Sequence, residues 1–157
     1  LHPVKGMERV VEAWASNPQL RERCTLVIVG GDLGRPSTAE RAVLDQIDTT
    51  LDRHPAARDG LVLLGGRPHA DIARLLVGAR RGCPGAWASG GGPSTYVEPG
   101  ETGMLVEPGD PLDRAILAAL ELVDRPGRAD RARRTVETRY SIATMASQLV
   151  DLYRAAV

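Results

Sequence analysis

The chain reads as an α/β domain, a doubly wound parallel sheet with helices on both faces. Three observations predict this class. Short apolar runs alternate with longer stretches of helical period, the pattern of a sheet whose strands are joined by helices. The runs at residues 24–29 (CTLVIV) and 61–64 (LVLL) are continuously apolar rather than alternating, as strands buried on both faces are. Glycines then follow the runs, as Gly30-Gly31, Gly65-Gly66 and Gly90-Gly91-Gly92. In such a sheet these would gather near the carboxyl edge of the strands, where ligands sit.

Each element has a local reason. Residues 7–16 (MERVVEAWAS) carry Met7, Val10, Val11 and Trp14 on one helical stripe, and Asn17-Pro18 ends the helix. The first strand, 24–29, stops at Gly30-Gly31. Residues 38–53 read as a helix through Ala42, Val43, Leu44, Ile47 and Leu51. The second strand, 61–64, stops at Gly65-Gly66. Residues 71–78 (DIARLLVG) form a helix with Asp71 near its start, where a carboxylate suits the helix dipole. After the glycine cluster, 103–106 reads as a third strand and 111–123 as an amphipathic helix with Pro111 in its first turn. Residues 129–138 and 142–156 read as closing helices.

Composition bounds the function. A length of 157 residues is one domain's worth, enough for a core without staples. The hydrophobic share of 43% and charged share of 25% are those of a soluble globular protein. With 20 basic and 20 acidic residues the net charge is zero, so no general affinity for polyanions is implied. Phe is absent and Tyr and Trp are few, which argues against nucleic-acid binding. Cys24 and Cys83 are too few and too far apart for a disulfide framework or a metal site; Cys24 opens a strand and reads as a small buried hydrophobe. No apolar run approaches the ~20 residues needed to span a bilayer, and no secretory signal is present. The chain begins at Leu1, as a piece of a longer protein would, and the cytoplasm is the default location.

Residues 90–106 concentrate the chemistry. A glycine run lets backbone N–H groups point into one concavity and hold phosphate or sugar oxygens. Gly100-Glu101-Thr102-Gly103 then makes a second turn before the apolar Met104-Leu105-Val106. The plainer reading is a Gly-rich loop followed by a tight turn.

The order of motifs resembles the C-terminal, nucleotide-sugar-binding domain of retaining glycosyltransferases of family 4, which have the GT-B fold. The matching residues are His2-Pro3-Val4-Lys5-Gly6 with Glu12-Ala13-Trp14, then Leu26-Val27-Ile28-Val29-Gly30-Gly31 and Leu63-Leu64-Gly65-Gly66. Gly91-Gly92-Pro93, Gly100-Glu101-Thr102-Gly103-Met104-Leu105-Val106-Glu107-Pro108 and the late turn Tyr140-Ser141-Ile142 follow. The similarity covers nearly the whole chain, and its Gly-Gly-Pro variant is nearest to sucrose-synthase-like and sucrose-phosphate-synthase-like members. The resemblance implies a Rossmann-like sheet, one half of a GT-B enzyme, and hexosyl transfer with retention of configuration and no metal requirement. The donor would be a nucleoside-diphosphate sugar of UDP or GDP type, with no further cofactor, and the partner an N-terminal acceptor domain of the same enzyme.

By position, Lys5 resembles the lysine that contacts the donor diphosphate, where a fixed ammonium stabilises the charge of the leaving group; alone it reads as a solvated lysine before a helix. Gly30 and Gly31 would approach the donor, and Gly65, Gly66 and Arg67 would border its base and ribose, Arg67 being otherwise a surface charge. Gly91, Gly92, Pro93, Ser94 and Thr95 would line the donor from the glycine cluster. The chain departs from the family twice. It begins one residue too late for the arginine that partners the lysine. Between residues 79 and 89 only the nine residues 80–88 (RRGCPGAWA) stand where members carry a strand and helix with a Glu-x7-Glu motif. Cys83-Pro84 and Ala86-Trp87-Ala88 match only the tail of that region, and Thr95 stands where many members have glutamate. A strand-helix unit is therefore expected to be missing near 80–88, and the chain alone is expected to be inactive.

Other readings compete. His2, His54 and His69 lack metal-ligand neighbours and read as surface residues. Asp32 and Asp110 suit turns or helix caps better than sugar contacts. Residues 125–139 interleave arginines with acids, as a solvated helix face does. No Gly-x-Ser-x-Gly elbow supports a hydrolase, and a response-regulator-like or flavodoxin-like domain would want an acidic or hydroxyl-rich loop at the first strand's end. A non-catalytic nucleotide- or sugar-phosphate-binding module remains the alternative.

Overall fold

The computed structural model describes residues 1, 3–78, 86–88, 92–123 and 125–155. The chain divides into two compact units, Leu1–Arg80 with Gly109–Leu117, and Arg81–Pro108 with Ala118–Val157.

In the first unit a 3-10 turn, Pro3–Lys5, leads to Gly6, whose left-handed backbone (φ 61°, ψ 30°) opens α1 (Met7–Ser16). Asn17 ends that helix and caps α2 (Pro18–Arg23), its side chain accepting from the Gln19 N–H at 3.0 Å. This short helix is not announced by any apolar period, and it moves the first strand. Cys24 still belongs to its end, with its N–H on the Leu20 carbonyl at 2.9 Å, so β1 is Leu26–Val29 rather than 24–29. α3 (Thr38–Arg53) begins at a capping box in which Ser37 and Glu40 each satisfy the other's backbone N–H. A 3-10 segment, Pro55–Gly60, precedes β2 (Leu61–Gly65), and α4 (His69–Gly78) follows.

β1 and β2 pair in parallel, with Leu26 opposite Leu61 and Ile28 opposite Leu63. Parallel neighbours need a crossover, and α3 supplies it. The register slips between Ile28 and Val29, which puts Val29 opposite Gly65. Val11, Trp14, Ala15, Leu20, Ile28, Val43, Ile47, Leu51 and Ala57 are buried. The spacing of Val43, Ile47 and Leu51 is the inward stripe of α3. Among the described residues β1 is not buried on both faces: Ile28 is buried, whereas Val27 and Val29 stay open to solvent.

The second unit holds β3 (Ala86–Ala88), the one-turn α5 (Pro93–Tyr96), β4 (Met104–Val106), the rest of α6 (Leu112–Val123), α7 (Arg128–Arg139) and α8 (Ile142–Ala155). β3 and β4 are parallel, Trp87 opposite Leu105. Residues 103–106 were expected beside the first two strands; β4 instead takes β3 as its ladder partner. Three arginines fasten the turn before β4: Arg125 donates to the Gly100 carbonyl at 2.8 Å, Arg131 meets Glu101 at 3.1 Å and Arg139 meets Glu98 at 3.2 Å. The arginine-rich stretch is thus partly an ion-paired strap, and Arg128 within it is buried. Among the described residues no helix is long and apolar enough to cross a membrane.

Trp14 anchors the first unit. It is 1% exposed, its indole N–H donates to the Cys24 carbonyl at 3.1 Å, and a Cβ on Gly60 would lie 2.8 Å from its ring. Trp14→Ala should cost about 3–5 kcal/mol, and Gly60→Ala about 1–3 kcal/mol by overpacking. Urea unfolding of both variants measures this. A loss under about 1 kcal/mol for Trp14→Ala would remove the residue from the centre of the core.

Candidate functional site

The two glycine pairs meet. The slip in register brings Gly65 to the end of β1, and the Gly30 N–H donates to its carbonyl at 2.8 Å. The Gly66 N–H returns a bond to the Gly31 carbonyl at 2.7 Å. Gly30, Gly31 and Gly65 have φ of 128°, 79° and 67°, the region in which only glycine is unstrained. A Cβ on Gly31 would stand 2.8 Å from the Leu1 nitrogen and 3.1 Å from Glu40 Oε1. Side chains are excluded here by both conformation and space.

Past the glycines, the loop is held by its own acids. Asp32 Oδ1 accepts from the Gly34 and Arg35 N–H groups, each at 2.9 Å. This is the turn role expected for Asp32. Glu40 Oε1 accepts from the Asp32 N–H at 3.1 Å, and Oε2 accepts from the Ser37 N–H at 2.9 Å and hydroxyl at 2.8 Å. The bonds from Ser37 and then Asp32 favour the charged form and lower the Glu40 pKa to about 2. Sequence reading passed over Glu40, although Ser37-Thr38-Ala39-Glu40 is a legible capping box.

Lys5 lies exposed at the end of the 3-10 turn, directly before α1. Gly6 gives that helix no side-chain cap. Arg67 is exposed and follows Gly66. Neither cation makes a hydrogen bond or ion pair among the described residues. In the second unit, Gly92 precedes Pro93, Ser94 and Thr95, the first three residues of α5. The Thr95 N–H and hydroxyl both return to the Gly92 carbonyl, at 3.0 and 2.7 Å. The Tyr140 hydroxyl donates to the Thr95 carbonyl, and the Tyr140 ring meets Tyr96 edge-on with centroids 6.4 Å apart. Thus the late tyrosine turn supports the glycine-cluster helix. Gly91 lies outside the described residues, as do His2, Cys83 and most of 80–88.

A cleft of about 480 Å³ also opens in the first unit, lined in part by Glu8, Glu12, Thr50, Arg53 and Asp110. Its Glu12 is committed: the Thr50 hydroxyl donates to it at 2.7 Å and Arg53 at 2.6 and 3.1 Å. The Thr50 bond, aided by Arg53, lowers the Glu12 pKa. This is an ion pair joining α1 to α3. His54, at the end of α3, lies 3.9 Å from Glu12. Among the described residues no group of three or more His, Cys, Asp and Glu could hold a metal ion.

The fold and its glycine-ended strands define a mixed α/β domain of Rossmann-like kind, with helices and parallel pairing. Among solved structures, it resembles HepE of Anabaena, crystallised in complex with UDP, with a TM-score of 0.73 and 21% identity. The match covers 99% of this chain and 46% of that one, so the chain spans about half the length of HepE. No protein-family profile matches the chain, and no curated protein does.

The depressed pKa of Glu40 has a thermodynamic consequence. Its contribution to stability is present above the ordinary carboxylate value of 4.5 and is lost as pH falls from there toward about 2. Acid unfolding of the wild type should therefore lose more stability across that window than that of Glu40→Gln. Parallel pH profiles for the two proteins would remove Glu40 as the acid-sensitive cap of α3.

Proposed function

We propose that the chain is the nucleotide-sugar-binding domain of a family 4 retaining glycosyltransferase, a hexosyltransferase of the GT-B type. The observation that carries this reading is the joining of Gly30-Gly31 to Gly65-Gly66 at the carboxyl ends of two parallel strands. That edge is where α/β sheets of this kind hold nucleotides. The motif order and the shared fold with a UDP complex support it, and UDP is the preferred donor nucleotide over GDP.

Lys5 is the residue assigned to chemistry. It stands beside a helix start that no side chain caps, where free N–H groups and the helix dipole favour an anion. An ammonium there meets the diphosphate as the sugar–oxygen bond breaks and negative charge builds on the leaving group. Gly30 and Gly31 allow close approach of the donor, and Gly65, Gly66 and Arg67 border the base and ribose. Gly91, Gly92, Pro93, Ser94 and Thr95 are assigned to the donor from the glycine cluster. Transfer itself belongs to the complete enzyme, with an N-terminal domain binding the acceptor, in the cytoplasm. The domain assignment covers residues 1–157, without the strand-helix unit that members carry near 80–88, and the isolated chain is inactive. A non-catalytic sugar-phosphate-binding module is the second reading, favoured by the lack of any glutamate in residues 80–88.

Calorimetric titration with UDP, GDP and ADP tests the reading, with UDP expected to bind best though weakly. Binding of none of them would leave the non-catalytic alternative. In the full-length enzyme, Lys5→Ala should lower turnover on the order of 10²–10³. Donor affinity should fall less than turnover, because the leaving-group charge grows toward the transition state. Unchanged turnover would return Lys5 to a solvated surface residue.

A further inference from the structure

The peptide unit between Gly31 and Asp32 is gripped at both ends. Its carbonyl, on Gly31, accepts from the Gly66 N–H at 2.7 Å. Its N–H, on Asp32, donates to Glu40 Oε1 at 3.1 Å. The Gly30 N–H is held on the Gly65 carbonyl on the other side, so the backbone torsions of Gly31 are confined between two pinned peptides. Gly31 lies at φ 79°, and its own N–H carries no partner among the described residues. The Glu40 side chain reaches this position from α3 while its other oxygen caps the helix through Ser37. One carboxylate therefore does two separable things: it closes the start of a helix, and it sets the orientation of the glycine turn at the sheet edge.

We infer that Glu40 is a positioning residue for nucleotide binding, acting through the Asp32 amide to aim the Gly31 N–H at the ligand. The inference deepens the donor-binding reading and rests on it. Glu40 does not touch the ligand; it holds the peptide next to the one that does. Its ionised state suits this role, since a carboxylate accepts on both oxygens at once. A glutamine in its place presents one acceptor and one donor, so it can serve Ser37 or Asp32 but not both. Hydrogen bonds to charged acceptors are also the stronger ones.

The separation of the two roles makes the test. Ser37→Ala removes the hydroxyl from the cap and leaves the Asp32 bond in place. Glu40→Gln weakens both, and Glu40→Asp keeps the charge but withdraws it by one methylene. UDP affinity is measured by calorimetry on the 157-residue chain, with amide exchange at Asp32 and thermal unfolding followed alongside. Ser37→Ala and Glu40→Gln should lower the melting temperature to a similar extent, as loss of a helix cap does. Only Glu40→Gln and Glu40→Asp should weaken UDP binding, by about tenfold, and only they should speed exchange at the Asp32 amide. Wild-type affinity in Glu40→Gln, or equal losses in Ser37→Ala and Glu40→Gln, would overturn the positioning role and leave the donor-binding reading standing. A wild type that binds no nucleoside diphosphate would overturn the reading beneath it, and the inference with it.

Discussion

Everything proposed for the first unit depends on two short backbone hydrogen bonds between the ends of β1 and β2. Gly30 gives its N–H to Gly65 and Gly31 receives one from Gly66, at 2.8 and 2.7 Å. A parallel ladder ordinarily ends where its strands diverge into loops. Here the irregularity after Ile28 lets the pairing continue past the regular strand, through residues whose torsions only glycine holds without strain. The result is a sheet edge made of bare backbone. Any Cβ at Gly31 would collide with the entering chain at Leu1 and with Glu40. Packing thus requires glycine here before function does, and among the described residues the Gly31 N–H is left without a partner.

Charge then distinguishes the starts of α1 and α3. α3 starts on Ser37 with Glu40 folded back over it, so the place where its dipole would attract an anion already holds one. The loop before α3 likewise has Asp32 seated on two of its N–H groups. α1 starts on Gly6, which has no side chain to offer, and Lys5 precedes it. The start of α3 is thus occupied by an acid, whereas that of α1 has no side-chain cap, follows Lys5 and carries Glu8 in its first turn. The missing cap and the adjacent cation support the role proposed for Lys5, and Glu8 opposes it.

Much of this could be read from the sequence, for identifiable reasons. Continuous apolar runs ended by glycine pairs gave both strands of the first ladder and their parallel sense, because a helix of period 3.6 separates them. The Val43, Ile47 and Leu51 stripe gave α3 to the residue. What escaped were features without a periodic signal. α2 is a polar six-residue helix set by Asn17 and Pro18, so it displaced the start of β1 unseen. β3 is three residues long, too short to show any alternation. The ion pair of Glu12 with Arg53 spans 41 residues of sequence, and the bond from Tyr140 to Thr95 spans 45. Such contacts are products of the fold and leave no trace in local composition. Glu40 is a different case: its capping box was legible, but its hold on the Asp32 amide appears only once β1 and α3 are placed.

The cleft between α1 and α3 shows why volume is a poor guide to function in this unit. It has room for a small molecule, yet Glu12, Thr50 and Arg53 on its wall are spent on one another, and Glu8 and Asp110 stand there beside Arg9. Glu12 is taken by Thr50 and Arg53, so the charge of that arginine is already paired. Opening that ion pair to admit a ligand would leave the largely buried Thr50 hydroxyl and a carboxylate to find new partners, a cost that an exposed contact rarely repays. The glycine edge has the opposite character. Its acids, Asp32 and Glu40, are already engaged by the loop's own amides, and Arg67, directly after Gly66, is uncommitted among the described residues.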